Sequence, residues 1–271
     1  MATTFFKISA VLAAALTTFS ALAAAPAPEK VFEEYVKAIG GEQAIRAVTT
    51  RYFDGTLENK RSKSLSRMTA WQKAPNLSYA EVETLGQGTF GQGYDGKEAW
   101  AKDANGVVKV LGGQEAASII DSALMYGDLE WKTRYTDVKT VGDTTFEGKA
   151  AIEVSCKTIG GTARSIFFDP KTWLELGVRE TVDGPPGPDG KPQKQFLVTI
   201  FDDYREVAGV KTPAKFIQKM GELEVISAFK IVEANTELKI SFDKPASAIL
   251  PEPSAPAAPS APAPAKDAPK K

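Results

Sequence analysis

Two spacings of hydrophobic residues divide this chain. In PEKVFEEYVKAIGG, Val31, Tyr35, Val36 and Ile39 fall on one face of a helix, Pro28 suits its first turn, and Gly40 and Gly41 stop it. GEQAIRAV follows as a second short helix. Beyond it, apolar and polar positions alternate for most of the chain, the spacing of half-buried strands. In AIEVSCK, for example, Ile152, Val154 and Cys156 alternate with Glu153, Ser155 and Lys157.

The breaks between these runs have hairpin chemistry. Tyr94-Asp95-Gly96-Lys97 carries an Asp-Gly pair, Asp169 and Pro170 open a turn in FFDPKTWLEL, and Ala208-Gly209 turns REVAGVKTPAKF. VDGPPGPDGKPQ, from Val182 to Gln193, reads as a longer exposed loop. Hairpins between consecutive strands predict an antiparallel sheet with one face apolar. One segment interrupts it: in GGQEAASIIDSALMYG, Ala116, Ile119, Ile120, Ala123 and Leu124 form a helical stripe between Gly113 and Gly127. The expected fold is α+β and mainly antiparallel β. It is a strongly curved, incomplete β-barrel, with the N-terminal and inserted helices as a lid over an apolar concavity. Phe90 with Tyr94, Ile166 with Phe168, Phe196 with Val198 and Ile200, and Leu223 with Val225 and Phe229 are the strand faces expected to line it.

The two ends differ in kind from this middle. MATTFFK, then ISAVLAAAL, then FSALAAAP have the order of a cleavable signal peptide, with cleavage expected after Ala23 and no cysteine there for lipid attachment. The apolar run is too short to span a bilayer as a helix. From Ala246 to Lys271 the chain is rich in proline and alanine, and it is expected to be a disordered tail. Residues 1–23, 24–245 and 246–271 are thus the expected signal, folded domain and tail, in a periplasmic or secreted protein without a stable transmembrane anchor.

Composition then narrows the chemistry. The chain has 33 Lys and Arg against 34 Asp and Glu, interspersed, so it lacks the basic footprint of a nucleic-acid binder. It has no histidine and one cysteine, which removes imidazole bases, Ser-His-Asp arrangements and the common zinc sites. Cys156, on an apolar strand face, reads as a buried small hydrophobe. Gly86, Gly88 and Gly91 match G-x-G-x-x-G, and Lys109 follows, but no D-F-G or catalytic-loop pattern comes after. These glycines read instead as places where a curved strand bulges or another group comes close, and no nucleotide is expected. Glu222 and Glu224 share a strand face and are the one pair placed for acid–base work; opposite Leu223 and Val225, they read as a solvated outer face. No enzyme, cofactor or metal site is expected.

The succession AIGG, GYDGKEAW, FFDPKTWLEL, FDDYREVAGVKTPAKF and FKIVEANTELKISFDKP, within Glu29 to Pro245, resembles the outer-membrane lipoprotein-sorting type, the LolA-like and LolB-like periplasmic carriers. The resemblance implies an incomplete antiparallel barrel with a helical lid, and binding of a lipid or of acylated protein cargo. The proline-rich tail departs from the simple carriers. The expected ligand residues are Phe90, Tyr94, Phe168 and Ile200 as wall, with Ile120 and Leu124 as lid on a helix Gln114–Tyr126. The alternative is a non-catalytic envelope sensor or scaffold that contacts an envelope protein partner.

Overall fold

The computed structural model describes residues 25–246, apart from 188, 189 and 191. The expected signal peptide, and the expected tail beyond its first residue, lie outside the described residues. Two helices, α1 (Pro28–Ala38) and α2 (Gly41–Ala47), come first. Six strands follow: β1 (Thr50–Asn59), β2 (Ser64–Lys73), β3 (Leu77–Thr84), β4 (Gly88–Tyr94), β5 (Ala99–Lys102) and β6 (Val108–Val110). An excursion through α3 (Gly113–Ala123) and the single turn α4 (Trp131–Arg134) leads into a second meander. That meander runs β7 (Tyr135–Phe146), β8 (Lys149–Thr158), β9 (Ala163–Phe168), β10 (Glu175–Pro186), β11 (Pro192–Val207), β12 (Val210–Met220) and β13 (Leu223–Ala234).

All thirteen strands form one antiparallel sheet that does not close into a barrel, in the order β6-β5-β4-β3-β2-β1-β13-β12-β11-β10-β9-β8-β7. The last strand therefore returns to the first. The β1–β13 ladder, Arg51 opposite Ala234 through Asn59 opposite Val225, joins the two meanders, with a bulge beside Gly55. Because the pairing is a simple meander, alternate turns share an edge. The β1–β2, β3–β4, β5–β6, β8–β9, β10–β11 and β12–β13 turns lie on one edge of the sheet, called the upper edge below.

Turn residues behave as their chemistry dictates. Asp95 accepts hydrogen bonds from the backbone N–H groups of Lys97 and Glu98, and Asp169 from those of Lys171 and Thr172. Ala208 and Gly209 both have positive φ, the geometry of the tight turn that matches strand twist. The Pro/Gly-rich segment departs from expectation: β10 and β11 run through most of it, and Pro186 pairs with Pro192. The expected loop is a long hairpin arm. The inserted helix is also shorter than expected. Its last turn ends at Ala123 because the Met125 N–H bonds the Pro75 carbonyl between β2 and β3 rather than a helical one.

Both faces of the sheet carry apolar layers. On the inner face, Val31, Phe32 and Tyr35 of α1 pack on Ile152, Val154, Ile166 and Phe168, and Phe32 stacks on Trp131 at 4.4 Å between ring centroids. Cys156 belongs to this layer, and burial pushes its thiol up to about 12. The apolar stripe of α3 sits elsewhere, on Tyr94 and Ala99. On the outer face, Trp71, Tyr79 and Trp100 stack at 5.4 and 5.3 Å, and the segment after β13 lays Leu238, Ile240 and Phe242 against them. Here the glycines of β4 find their reason. A Cβ on Gly93 would lie 2.8 Å from the Trp100 ring and 2.8 Å from the Ser78 carbonyl oxygen, and one on Gly91 would press on the Tyr79 ring. They give room to rings, not to phosphate.

Replacing Gly93 with valine should therefore destabilise the protein by about 1–3 kcal/mol, the range for forcing extra groups into a packed site. Urea unfolding followed by tryptophan fluorescence measures this. A stability equal to wild type would contradict the close contact.

Candidate functional site: a half-open cavity beside α3

The inner face holds a cavity, about 470 Å³ in volume and partly open to solvent. One wall is the first meander, with Gln92 of β4 and Ala101 of β5 opposite each other. The other wall is the second meander, with Thr158 and Arg164 from β8 and β9, Glu180 and Val182 from β10, and Leu197 from β11. The helix α3 runs between them. Its apolar stripe turns to the first meander, so its polar side, with Gln114, Ser118, Asp121 and Ser122, faces the cavity. The lining is consequently mixed, with Leu111, Ile119, Val182 and Leu197 as its larger apolar groups.

Four charged groups fix α3 in this position. The Asp121 carboxylate accepts from Arg134 Nε at 2.7 Å and from Arg164 Nη2 at 2.8 Å. Arg164 also reaches Glu180 at 2.7 Å and donates to the Tyr135 hydroxyl at 3.0 Å. All four side chains are largely shielded from water. Burial works against the charge on Asp121, but Arg134 and Arg164 outweigh it and hold the carboxyl below its ordinary value. Two lighter ties sit at the helix ends: Gln72 Nε2 to the Ser122 carbonyl at 3.0 Å, and Gln114 Nε2 to Thr162 Oγ1 at 3.1 Å. The network thus bonds one helix to both meanders.

Below the cavity the inner face is aromatic. Phe53 of β1, Phe229 of β13, Phe216 of β12 and Phe201 of β11 form a row across four adjacent strands, with ring centroids 5.2, 6.0 and 5.5 Å apart. Under α1 a second polar group is enclosed. Burial, with Asp128 nearby, pushes the Glu175 carboxyl up to about 8, although Tyr35 hydrogen-bonds it.

None of the six residues expected to hold a ligand lines this cavity. Tyr94 and Ile120 instead pack between β4 and α3, and Phe168 is fully buried under α1. Phe90 is exposed near the upper edge, and Leu124 is half-buried where α3 ends. Ile200 is on the other side of the sheet. It pairs with Ile217 and packs with Phe146 and Phe167 in an outer-face cluster, as does Val198. The reason lies in β11 itself: Phe196, Val198 and Ile200 are more apolar than Leu197, Thr199 and Phe201, yet the second set faces inward. Of the N-terminal helices, α1 packs on the second meander. The cavity and network residues Gln92, Asp121, Arg164 and Glu180 were missed. Their signal was a charge, Arg164, in register with the apolar residues Ile166 and Phe168.

A single curved antiparallel sheet with helices on its inner face is the LolA-like fold. Among solved structures, the chain is similar to a LolA superfamily protein from Nitrosomonas europaea, with TM-score 0.54 and 10% identity over 81% of this chain and 99% of that one. It is also similar to a DUF1329 family protein from Desulfovibrio piger, with TM-score 0.53 and 10% identity over 78% and 94%. A domain from Vibrio parahaemolyticus described as an outer membrane lipoprotein-sorting protein gives TM-score 0.50 and 10% identity over 78% and 93%. No family description and no curated protein matches the sequence. At these identities the likeness is one of fold. Among the described residues, no helix is long and apolar enough to cross a membrane.

Two predictions follow from the buried charges. Asp121→Asn removes the carboxylate that Arg134 and Arg164 share, leaving Arg164 only Glu180, and should cost about 3 kcal/mol. Hydrogen exchange should show α3 amides opening faster, while β12 amides keep their protection; unchanged α3 protection would contradict the role of the network. Glu175 has its folded value raised from 4.5, so the folded state holds an extra proton between about pH 4.5 and 8 and loses stability as pH rises through that window. Glu175→Gln should flatten this fall: its melting temperature should approach wild type at pH 5 and exceed it at pH 9.

Proposed function

We propose that this protein is a non-catalytic, extracytoplasmic binding protein for a lipid or an acylated protein. The observation that carries the reading is the half-open cavity between α3 and the two meanders. Its volume lies within the usual range for ligand sites. Its polar side along α3 and its apolar side at Val182 and Leu197 suit a molecule with a polar group and a hydrocarbon part. The aromatic row from Phe53 to Phe201 lies on the same inner face. Each methylene withdrawn from water contributes about 0.8 kcal/mol, so even a partly covered chain is held usefully. The description of the Vibrio parahaemolyticus domain as lipoprotein-sorting supports the same class of cargo, with sorting or transfer in the periplasm as the role. The signal-like N-terminus supports export. No cofactor or nucleotide takes part in this reading.

Native mass spectrometry of protein isolated from its own envelope without detergent, followed by lipid extraction, tests the proposal. A stoichiometric lipid or acylated peptide is expected. Leu197→Trp, which fills the cavity from its apolar wall, should lower occupancy while leaving the melting temperature near wild type. A clean unliganded mass, with no uptake of offered lipids, would overturn the proposal.

A further inference from the structure

Beyond the cavity, exposed apolar side chains are unevenly placed. Among the described residues eight large ones are exposed, and six of them lie at or beside upper-edge turns. Four of these fall on three consecutive hairpins of the first meander. Leu85 sits in the β3–β4 turn, 97% exposed, and Val107 in the β5–β6 turn. Leu65 near the start of β2 and Phe90 near the start of β4 stand just behind them, on opposite faces of the sheet. The two turns pack side by side, since a Cβ on Gly88 would lie 3.0 Å from the Ala104 carbonyl oxygen. The β1–β2 turn beside them reads Lys60-Arg61-Ser62-Lys63. Lys60 pairs with Glu58, whereas Arg61 and Lys63 make no ion pair among the described residues. In the upper-edge turns of the first meander the one acid is Asp103, which is occupied in capping the Asn105 and Val107 N–H groups.

We infer that the upper edge of the first meander, through Leu85, Val107, Leu65 and Phe90 with the basic Lys60–Lys63 turn, docks on the surface of an anionic lipid bilayer. The form of the patch favours a bilayer over a folded partner. A protein interface builds around a contiguous, closely packed apolar core. Here the apolar groups are separate anchors on hairpin tips, projecting to both sides of one sheet edge, and a fluid interface takes up separate anchors without shape matching. Cationic residues next to shallow apolar anchors are the combination by which peripheral proteins hold anionic membranes. Docking stands without the cavity proposal, and it would bring a cargo site to the surface from which lipid is taken or to which it is given.

The test is flotation of the mature protein with phosphatidylglycerol-containing vesicles and with phosphatidylcholine vesicles, at low and high salt. Wild type should float with the anionic vesicles and be partly released by salt. Leu85→Asp with Val107→Asp should weaken association by roughly tenfold, and Arg61→Glu with Lys63→Glu should abolish the preference for anionic lipid. These side chains are exposed, so circular dichroism and melting temperature should be unchanged. Failure of wild type to float, or flotation of both variants at wild-type strength, would overturn the inference. Leu197→Trp separates the two proposals: it should float normally while losing cargo, whereas a wild type that carries lipid but never floats would overturn docking alone.

Discussion

Asp121 is where the two halves of this molecule are tied together around an interior space. The helix that bears it buries its apolar stripe on β4 and β5, and therefore belongs by packing to the first meander. Its carboxylate is held by Arg164 of β9, in the second, and by Arg134 of α4, at the entry to it. The β1–β13 ladder joins the meanders along one line, and the Asp121 network joins them again across the inner face. A sheet pinned at both places encloses volume. Buried ion pairs gain little net stability over apolar packing, but they are exacting about geometry. That suits an element that must stand off from one wall without collapsing onto it.

The cavity is a consequence of which side of α3 is polar. Had the helix laid a fully apolar surface inward, side chains from both walls would close on it and fill the interior, as they do under α1. Instead serine, glutamine and aspartate face the space beside Ile119, and Val182 and Leu197 come from the strands opposite. The outer face has the contrary arrangement. There β4 contributes glycine so that Trp71, Tyr79 and Trp100 can stack, and the chain beyond β13 covers them. The sheet is thus packed tightly on the outside of the first meander, while the cavity lies on the inside.

Much of this was legible before any coordinates. Spacing and turn chemistry predicted α1, α2, α3, the hairpins at Asp95, Asp169 and Ala208, and an antiparallel sheet with helices on one face. The site was not legible. Of the strand positions expected as a ligand wall, Phe168 is filled core, Ile200 lies in the outer layer and Phe90 is exposed. The rule that one strand face is apolar fails where both faces are covered, as in β11, because alternation then carries no sign of which side is in.

The sequence by itself determined the local elements and the antiparallel pairing, because helix period, strand alternation and turn residues act over a few neighbours. It also removed imidazole and paired-thiol chemistry, since the chain has no histidine and one cysteine. Only the tertiary structure decided which face of each strand points inward, where the halves leave space, and that Asp121 meets Arg164 across 43 residues of chain. Those facts depend on contacts between distant segments, which no local pattern encodes.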